Sequence, residues 1–379
     1  MRDNQQILEA LFRDGKIRIK RGAIFDIDPD PMPSDFEFDR FAGMMLGLAV
    51  GDALGNTTEG IAPDLRNQHF GEIRDYLPNR YANGKRVGTP SDDTQLAFWT
   101  LEQLINDDGL VPERLATRFC RDPILGIGGT VQGFISNQKN GKCWVESGPE
   151  SAGNGSLMRI APINYPHLRY GGRGLWVDTA LSAMITHNDT ASISACIAFV
   201  YMFWQLLKMD HAPAPEWWLE TYFTITKDLE LGTIYRPRSR TVADFAGPLW
   251  AFVEREVLSA YRSGTTIVDA CNRWYSGAYL LETVPAVLLI LMNHGNDPEE
   301  AIVRAVNDTR DNDTIGAIVG AAVGALHGKS GIPKQWIANL AGRTTDADDG
   351  RIFELLDQAS LCFQPIKHRV LTKENIKTY

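Results

Sequence analysis

The segment NDTRDNDTIGAIVGAAVGALHG, residues 307–328, sets a group of aspartates directly before a run of apolar and small residues. The larger apolar side chains in this run recur at helical spacing, which predicts an α-helix with one buried stripe. The glycines and alanines between them would let a neighbouring helix approach closely. The predicted stripe contains Ile315, Ile318, Val319 and Ala322, and the aspartates are Asp308, Asp311 and Asp313.

A second segment, SDDTQLAFWTLEQL from Ser91 to Leu104, also places a hydroxyl and adjacent carboxylates before an apolar helix. Helix capping explains either segment taken alone, because side-chain oxygens accept bonds from the free N–H groups of a first turn. The two together favour a metal site, since several converging carboxylates would repel one another without a cation between them. Ligands that are all oxygen favour Mg²⁺, Mn²⁺ or Ca²⁺ over zinc.

Helical periodicity dominates from about residue 36 onward, and strand-like runs are scarce there. We therefore predict an all-α protein with one large domain at residues 36–365, an N-terminal arm at residues 1–35 and a C-terminal tail at residues 366–379. Further windows with helical spacing are TQLAFWTLEQLI, SISACIAFVYMFWQLL, DFAGPLWAFVEREVLSAY and ETVPAVLLILMNH.

The arm differs from the rest of the chain in composition. NQQILEALFRDG predicts a short amphipathic helix that ends at Gly15, and KIRIKRGAIF alternates charged and apolar residues, as a strand does. DIDPDPMPSD is rich in proline and acid, which is typical of a linker. Ser34 and Glu37 then fit a capping box before the first helix of the domain.

The overall composition argues against several classes of protein. The formal net charge is −9, which disfavours nucleic acid as a general partner because phosphate binding needs a basic surface. The five cysteines include no CxxC and predict free thiols in a reducing compartment. The N-terminus lacks the apolar core of a signal peptide, and the longest apolar run is shorter than the roughly 20 residues that span a bilayer. These features predict a soluble cytoplasmic protein without a membrane partner.

Other polar and glycine-rich positions are candidates for function. Asp52 continues an apolar helix face, so we expect a buried structural acid bonded to backbone N–H groups. Glu59 lies beyond a turn and is a better candidate for acid–base chemistry, although a solvated loop residue would look the same. The loops GIGGTVQGF from Gly126 and SAGNGSLMR from Ser151 could hold an anion with backbone N–H groups.

Taken in order, these blocks resemble the ADP-ribosylglycohydrolase family, which includes dinitrogenase reductase-activating glycohydrolase. The resemblance runs over roughly residues 38–330. It is carried by GLAVGDALGNTTEG, SDDTQLA, GIGGTVQGF, GNGSLMR, SAMITHND, SGAYLLETVPA and NDTRDNDTIGAIVGAAVGALHG. It implies a large orthogonal helical domain with a binuclear centre of two Mg²⁺ or Mn²⁺ ions.

The resemblance also implies roles for individual residues. Glu59, Asp92 and Asp93 are the implied catalytic acids, and Tyr279 and Glu282 are expected to line the site. The implied metal ligands are Ser91, Asp92, Asp93, Asp311, Asp313 and Thr314. The implied substrate-binding residues are Gly126, Gly128, Gly129, Thr130, Asn154, Gly155, Ser156 and His187.

The sequence departs from the family pattern at two of these blocks. Ser91 stands where threonine is common, and its hydroxyl can coordinate equally well. TRDNDT, residues 309–314, stands where many members read GGDTDT. The aspartates and the final threonine are kept, so metal binding should survive, but the loss of the glycine pair puts substrate preference in doubt.

The function implied by the resemblance is metal-dependent hydrolysis of the bond between ADP-ribose and a modified protein side chain, with arginine the most plausible acceptor. Cleavage of such a glycosidic bond passes through an oxocarbenium-like state. The alternative is an immunity protein that binds an ADP-ribosyltransferase toxin through residues 1–35, with or without hydrolase activity. The basic KIRIKR segment could pair with a partner's sheet edge, although the arm could equally pack on its own domain.

Overall fold

The regular structure of the chain is helical, as expected from the sequence. The computed structural model describes residues 4–79, 82–345 and 350–363. Within those ranges there is no β-strand, only isolated bridges and short 3₁₀ turns beside the α-helices. The helices are α1 (Asn4–Arg13), α2 (Phe38–Asn56), α3 (Pro63–Phe70), α4 (Asp92–Asp107), α5 (Pro112–Arg121), α6 (Gly129–Lys139), α7 (Trp144–Ser147), α8 (His167–Tyr170), α9 (Gly174–Thr186), α10 (Thr190–Leu206), α11 (Pro215–Leu229), α12 (Leu249–Ser263), α13 (Ile267–Trp274), α14 (Leu280–His294), α15 (Pro298–Asp308), α16 (Asn312–Gly331), α17 (Lys334–Ala338) and α18 (Arg351–Phe363).

Helices α2 and α16 form a tightly packed antiparallel pair at the centre of the fold. Each carries a glycine at every fourth position, so one face of each helix has no side chains. A Cβ built on Gly47 would lie 2.1 Å from the carbonyl oxygen of Gly320, and one on Gly51 would lie 2.0 Å from that of Gly316. The two backbones are therefore in direct contact. Because the helices run antiparallel, the end of α2 lies beside the start of α16.

The surrounding helices complete a large apolar core. Helices α10 and α14 are buried around most of their circumference, which explains why their sequences are apolar on every face. Pro248 delays the start of α12 to Leu249, so the window that began at Asp244 becomes helical later than its spacing suggests. No helix in the described ranges is long and apolar enough to cross a membrane.

The N-terminal arm packs on the domain, which is the simpler of the two expectations for it. The predicted helix is present as α1, and its Leu8 is fully buried. The predicted strand is wrong, because residues 16–25 have no strand partner and end in a 3₁₀ turn. Ile17 and Ile19 are buried and alternate in sequence with charged residues, but the backbone bonds to the end of a helix: Lys20 N–H donates to the carbonyl of Leu229, the last residue of α11, at 2.9 Å.

Most basic side chains that the structure describes in the arm, including Lys16 and Arg18, are paired with acids of the same chain. Lys16 lies 3.0 Å from Glu146, and Arg18 lies 2.8 Å from Glu150. The capping box is also wrong, because α2 begins only at Phe38 and the residue before it makes no side-chain cap bond. The domain boundaries stay a prediction, and the tail at residues 366–379 lies outside the described residues.

Candidate metal centre

Three helix ends meet at one point and bring the two acid clusters of the sequence together. The end of α2, the start of α4 and the start of α16 supply the carboxylates. One oxygen each of Asp52, Asp93 and Asp313 lie within 4.8 Å of one another, and so do those of Glu59, Asp311 and Asp313. Asp313 belongs to both groups and therefore joins them into a single cluster of acids.

Asp52 fastens α4 to α2. Its carboxylate accepts the backbone N–H of Ser91 at 2.9 Å and that of Thr94 at 3.0 Å, and the Thr94 hydroxyl at 2.5 Å. This is the buried acid bonded to backbone N–H groups that the sequence predicted. Its closeness to Asp93 and Asp313 was not predicted, and it makes Asp52 a further member of the acid cluster.

The two helix starts differ in how they are capped. The Ser91 Oγ accepts the N–H of Asp93 at 3.4 Å and donates to Asp93 Oδ2 at 3.0 Å, so the capping explanation holds for α4. Asp311 occupies the N-cap of α16 but makes no cap bond with its side chain. Asp93 Oδ1 is buried and has no hydrogen-bond partner among the described residues. An unpaired buried carboxylate oxygen is costly, which fits a position that a cation would occupy.

Polar contacts hold the Asp311 and Asp313 carboxylates in place. Asp311 Oδ2 accepts the Asn154 side-chain amide at 2.6 Å, and its backbone N–H donates to the carbonyl of Ser276 at 3.0 Å. Asp313 Oδ1 accepts the backbone N–H of Thr314 at 2.9 Å. Asn154 therefore lies against the acid cluster, and its role in substrate binding stays a prediction.

Burial raises the pKa of every acid in the cluster, and neighbouring carboxylates raise it further for Asp92, Asp93, Asp311 and Asp313. Burial raises the pKa of Asp52 to about 6 and that of Asp311 to about 7. The pKa values of Asp93 and Asp313 rise well above the ordinary range, first through burial and then through neighbouring carboxylates. Asp92 behaves in the same way, and burial also raises the pKa of Glu59, although that residue is exposed on its outer side. Full ionisation near neutral pH therefore requires positive charge inside the cluster.

The residues present fit a hard divalent cation. All donors in the cluster are carboxylate or hydroxyl oxygens, and no histidine or cysteine belongs to the acid groups found in the described residues. Mg²⁺ and Mn²⁺ prefer such donors, whereas zinc favours nitrogen and sulfur. The ligand roles implied for Ser91 and Thr314 are compatible with their positions at the starts of α4 and α16.

The first glycine loop borders the acid cluster on the α4 side. A Cβ built on Gly126 would lie 3.6 Å from Asp92 Oδ1, and Gly126 itself has a positive φ of 66°. Gly128 caps α6 and Gly129 is its first residue, with open space around both. The Thr130 hydroxyl lies 2.9 Å from that of Ser151, which ties this loop to the second glycine loop.

Two of the predicted substrate-binding residues are fully buried. Ser156 lies inside the core and accepts a bond from the Cys196 thiol at 3.4 Å. His187 is also buried, and a Cβ on Gly155 would lie 2.9 Å from its ring. Burial, reinforced by the charge of Arg159, lowers the pKa of His187 to about 3. His187 is therefore a neutral ring packed beneath the second glycine loop.

A buried arginine that sequence reasoning missed holds two site loops together. Arg66 of α3 is 0% exposed and donates to the carbonyls of Val306 at 2.8 Å, Thr309 at 2.7 Å and Ile61 at 2.8 Å. It also reaches the carbonyls of Asn307 and Thr58. The clamp joins the turn that carries Glu59 to the turn that precedes Asp311. Every residue has a carbonyl oxygen, so the sequence gives no sign of these hydrogen bonds. The clamp is recognised only in the structure, from the uncommon burial of an arginine.

Glu282 is buried and paired with an arginine at the mouth of the site. Arg238 donates to both of its carboxylate oxygens, at 2.8 and 2.5 Å. The half-buried Tyr279 lies beside Arg238, and residues 152–154 hydrogen-bond with residues 278–280. Glu282 is close enough to Asp311 to raise the pKa of that carboxyl, and the expectation that both residues line the site stays a prediction.

Comparison with known proteins identifies similar chains. Residues 32–364 match the family described as ADP-ribosylglycohydrolase. The chain is 30% identical over 310 residues to an uncharacterised protein of Archaeoglobus fulgidus, covering 80% of this chain and 92% of that protein. It is 25% identical over 315 residues to ADP-ribosylarginine hydrolase Tri1 of Pseudomonas putida, covering 80% and 74%. A solved structure, "ADP-ribosylglycohydrolase-related protein complex", matches with a TM-score of 0.60 at 26% identity, covering 85% of this chain and 96% of its own.

Proposed function

The chain belongs to the ADP-ribosylglycohydrolase family of enzymes, as its sequence blocks predicted, and from this premise we propose that it uses two Mg²⁺ or Mn²⁺ ions to remove ADP-ribose from a modified protein side chain, with arginine as the acceptor. The observation that carries the proposal is the convergence of buried acids from α2, α4 and α16 around one unpaired carboxylate oxygen. The proposed ligands are Ser91, Asp92, Asp93, Asp311, Asp313 and Thr314.

Bound divalent cations supply positive charge and Lewis acidity toward ribose hydroxyls and water. The residues of the chain hold the ligands of these ions in position and transfer protons. Asp52 holds the first turn of α4, and Asn154 fixes the orientation of Asp311. Glu59 reaches solvent and has a raised pKa, so it suits proton exchange with the leaving group or with the attacking water.

The diphosphate of the substrate is assigned to the glycine loops. Helix α6 begins at Gly129 with open space before it, and its free N–H groups face an approaching anion. The loop starts beside Asp92 and is tied to the second glycine loop through Thr130. Ser156 and His187 would then support the shape of this surface from beneath rather than touch the ligand.

Arginine as the acceptor is supported by the name of the Pseudomonas putida relative, an ADP-ribosylarginine hydrolase. Serine, a nucleotide base and small ADP-ribose conjugates stay possible acceptors. The alternative of a toxin-binding immunity protein gains no support from the arm. Its basic Lys16 and Arg18 are paired with acids of the same chain.

The experiment follows release of ADP-ribose from an arginine-ADP-ribosylated protein in Mg²⁺ or Mn²⁺ and then in EDTA. The double variant Asp92→Ala, Asp311→Ala removes one acid from each cluster. A matched double variant, Glu220→Ala, Asp357→Ala, removes two exposed acids elsewhere. We expect release that needs the ion and is lost only in the first variant. No release from arginine, serine or nucleotide conjugates with either ion would overturn the proposal.

A further inference from the structure

An exposed tyrosine stands near the acid cluster with two guanidinium groups close to its ring. Tyr275 is 44% exposed. The Cζ of Arg310 lies 4.7 Å from its ring centroid, and that of Arg238 lies 5.6 Å away. Guanidinium groups stack favourably on aromatic faces. These three residues are called the rim below.

The backbone that presents Tyr275 is strained. Tyr275 has a φ of 81° and the next residue, Ser276, a φ of 47°. Left-handed conformations are unfavourable for residues with a side chain, and such strain is concentrated at functional sites. The Ser276 carbonyl accepts the backbone N–H groups of Arg310 at 3.3 Å and Asp311 at 3.0 Å. The strained turn is thus fixed directly to the loop that carries the proposed metal ligands.

The two arginines of the rim differ in their charge balance. Arg238 is neutralised by the buried carboxylate of Glu282. The described residues place no carboxylate within ion-pair distance of Arg310, and its Nε is buried without a hydrogen-bond partner. Arg310 also stands at one of the positions where many members of the family have glycine. The rim therefore carries one guanidinium group whose charge no described side chain compensates.

The rim adjoins the turn that carries Glu59. The Arg310 carbonyl accepts the backbone N–H of Gly60 at 2.9 Å. Glu59 is the acid proposed to exchange a proton with the leaving group or with the attacking water. The first of these roles would place the protein that bears the ADP-ribose next to Arg310 and Tyr275.

We propose that Tyr275 and Arg310, with Arg238 close to the same ring, bind an aspartate or glutamate that flanks the modified residue of the protein substrate. A carboxylate matches the two-pronged donor geometry of a guanidinium group. The tyrosine ring supplies an apolar surface for the adjoining peptide. The inference rests on the proposed function, because it names the substrate class of the same site.

The test uses two ADP-ribosylated peptides that differ only in a glutamate or a glutamine next to the modified residue. We expect the wild-type protein to favour the glutamate peptide by about three- to tenfold in kcat/KM, mainly through KM, and to lose this preference at high salt. Arg310→Gln should abolish the preference, and Arg310→Lys should keep part of it. Arg262→Gln, which removes an exposed arginine from the end of α12, should keep all of it.

Fluorescence anisotropy of the labelled peptides measures the same preference as a difference in affinity, even if neither peptide is cleaved. Failure of the hydrolase proposal can therefore be distinguished from failure of this inference. Equal affinity of the wild-type protein for both peptides would overturn the inference. A fall in affinity for free ADP-ribose in Arg310→Gln, as large as the fall for the glutamate peptide, would place the diphosphate on Arg310 and overturn it as well. Unfolding temperatures of all variants exclude loss of the fold as the cause.

Discussion

The contact between α2 and α16 leads to a prediction that separates stability from metal binding. In Gly51→Ala, the new Cβ would lie 2.0 Å from the carbonyl oxygen of Gly316, whereas ordinary contact begins near 3.4 Å. The helices would have to separate by about 1.4 Å, because the opposing atoms belong to the backbone and cannot rotate away. Overpacking of this kind costs up to about 3 kcal/mol, while alanine regains roughly 1 kcal/mol of helix propensity. We expect a net loss of about 2 kcal/mol.

Gly43→Ala provides a matched variant at the other end of the same contact. Its Cβ would lie 2.3 Å from the carbonyl carbon of Gly328, so the clash is similar. The two positions are about 12 Å apart along the helix at 1.5 Å per residue, and only Gly51 adjoins Asp52 and the acid cluster. A third variant, Gly133→Ala in α6, meets only a proline side chain at 3.3 Å, so it should lose no stability and should gain up to about 1 kcal/mol from helix propensity.

The assays are urea unfolding in EDTA and calorimetric titration with Mn²⁺. Both Gly51→Ala and Gly43→Ala should lower the free energy of unfolding by about 2 kcal/mol. Gly51→Ala should also weaken Mn²⁺ binding by about tenfold or more, since a ligand shift of this size spoils the coordination geometry, whereas Gly43→Ala should weaken it much less. Wild-type stability of Gly51→Ala would refute the packing argument. Equal loss of Mn²⁺ affinity in both variants would refute the placement of the metal at this end of the helix pair.

Four further outcomes can be measured with the same assays. Asp313→Asn should raise the free energy of unfolding in EDTA at pH 8, because it removes a buried repelling charge. The same variant should lose Mn²⁺ binding and hydrolysis. If it were less stable than the wild-type protein in EDTA, the argument from charge repulsion would be wrong. The gap in unfolding temperature between the Mg²⁺-bound and metal-free protein should widen from pH 5 to pH 8. The pKa of Asp311 is raised to about 7, so the metal-free folded protein keeps a proton that the unfolded chain releases. The metal-free protein therefore loses stability as pH rises through this window. A gap that stays constant from pH 5 to pH 8 would contradict this argument. Arg66→Met should cost about 3 kcal/mol or more, because buried carbonyls lose their donor, and should weaken Mn²⁺ binding, whereas Arg262→Met should do neither. Deletion of residues 1–33 should lower the unfolding temperature, because the arm's Leu8 is buried against the domain; an unchanged temperature would show that the arm does not support the fold.

The sequence predicted the helices and the acid cluster because both have local signatures. A helical period records which face is buried, and adjacent aspartates before such a run record a helix start. We predicted that the two acid clusters share one metal site because converging carboxylates need a cation between them, and the arrangement of the helices was not needed for that prediction. Glycines at every fourth position were noted only in α16, although Gly43, Gly47, Gly51 and Gly55 show the same spacing in α2. Reading both stripes together would have predicted the helix pair that positions the site.

The features that the sequence did not reveal depend on partners without a signature. Arg66 binds main-chain carbonyls, which any residue supplies, so nothing near it distinguishes it from a solvated arginine. The alternation at Ile17 and Ile19 correctly indicated which side chains face the core, but it could not indicate what their backbone bonds to. Since period-2 burial and strand pairing are separate properties, a segment that bends across the surface of a helical domain fulfils the first without the second.

The arrangement of the site explains how a fold can tolerate so many acids at one point. Two kinds of contact hold the site together. One is direct backbone packing of α2 on α16 at glycines such as Gly51. The other is hydrogen bonding between a charged side chain and the main chain, as in Asp52 between α2 and α4 and in Arg66 between the neighbouring turns. Backbone packing does not depend on the ionisation of the acids. The Asp313 and Asp93 carboxylates can therefore repel one another in the metal-free protein without separating the helices, and the strain between them is available as affinity for a cation. If this reasoning holds, replacing either acid by its amide should stabilise the metal-free fold while removing the site.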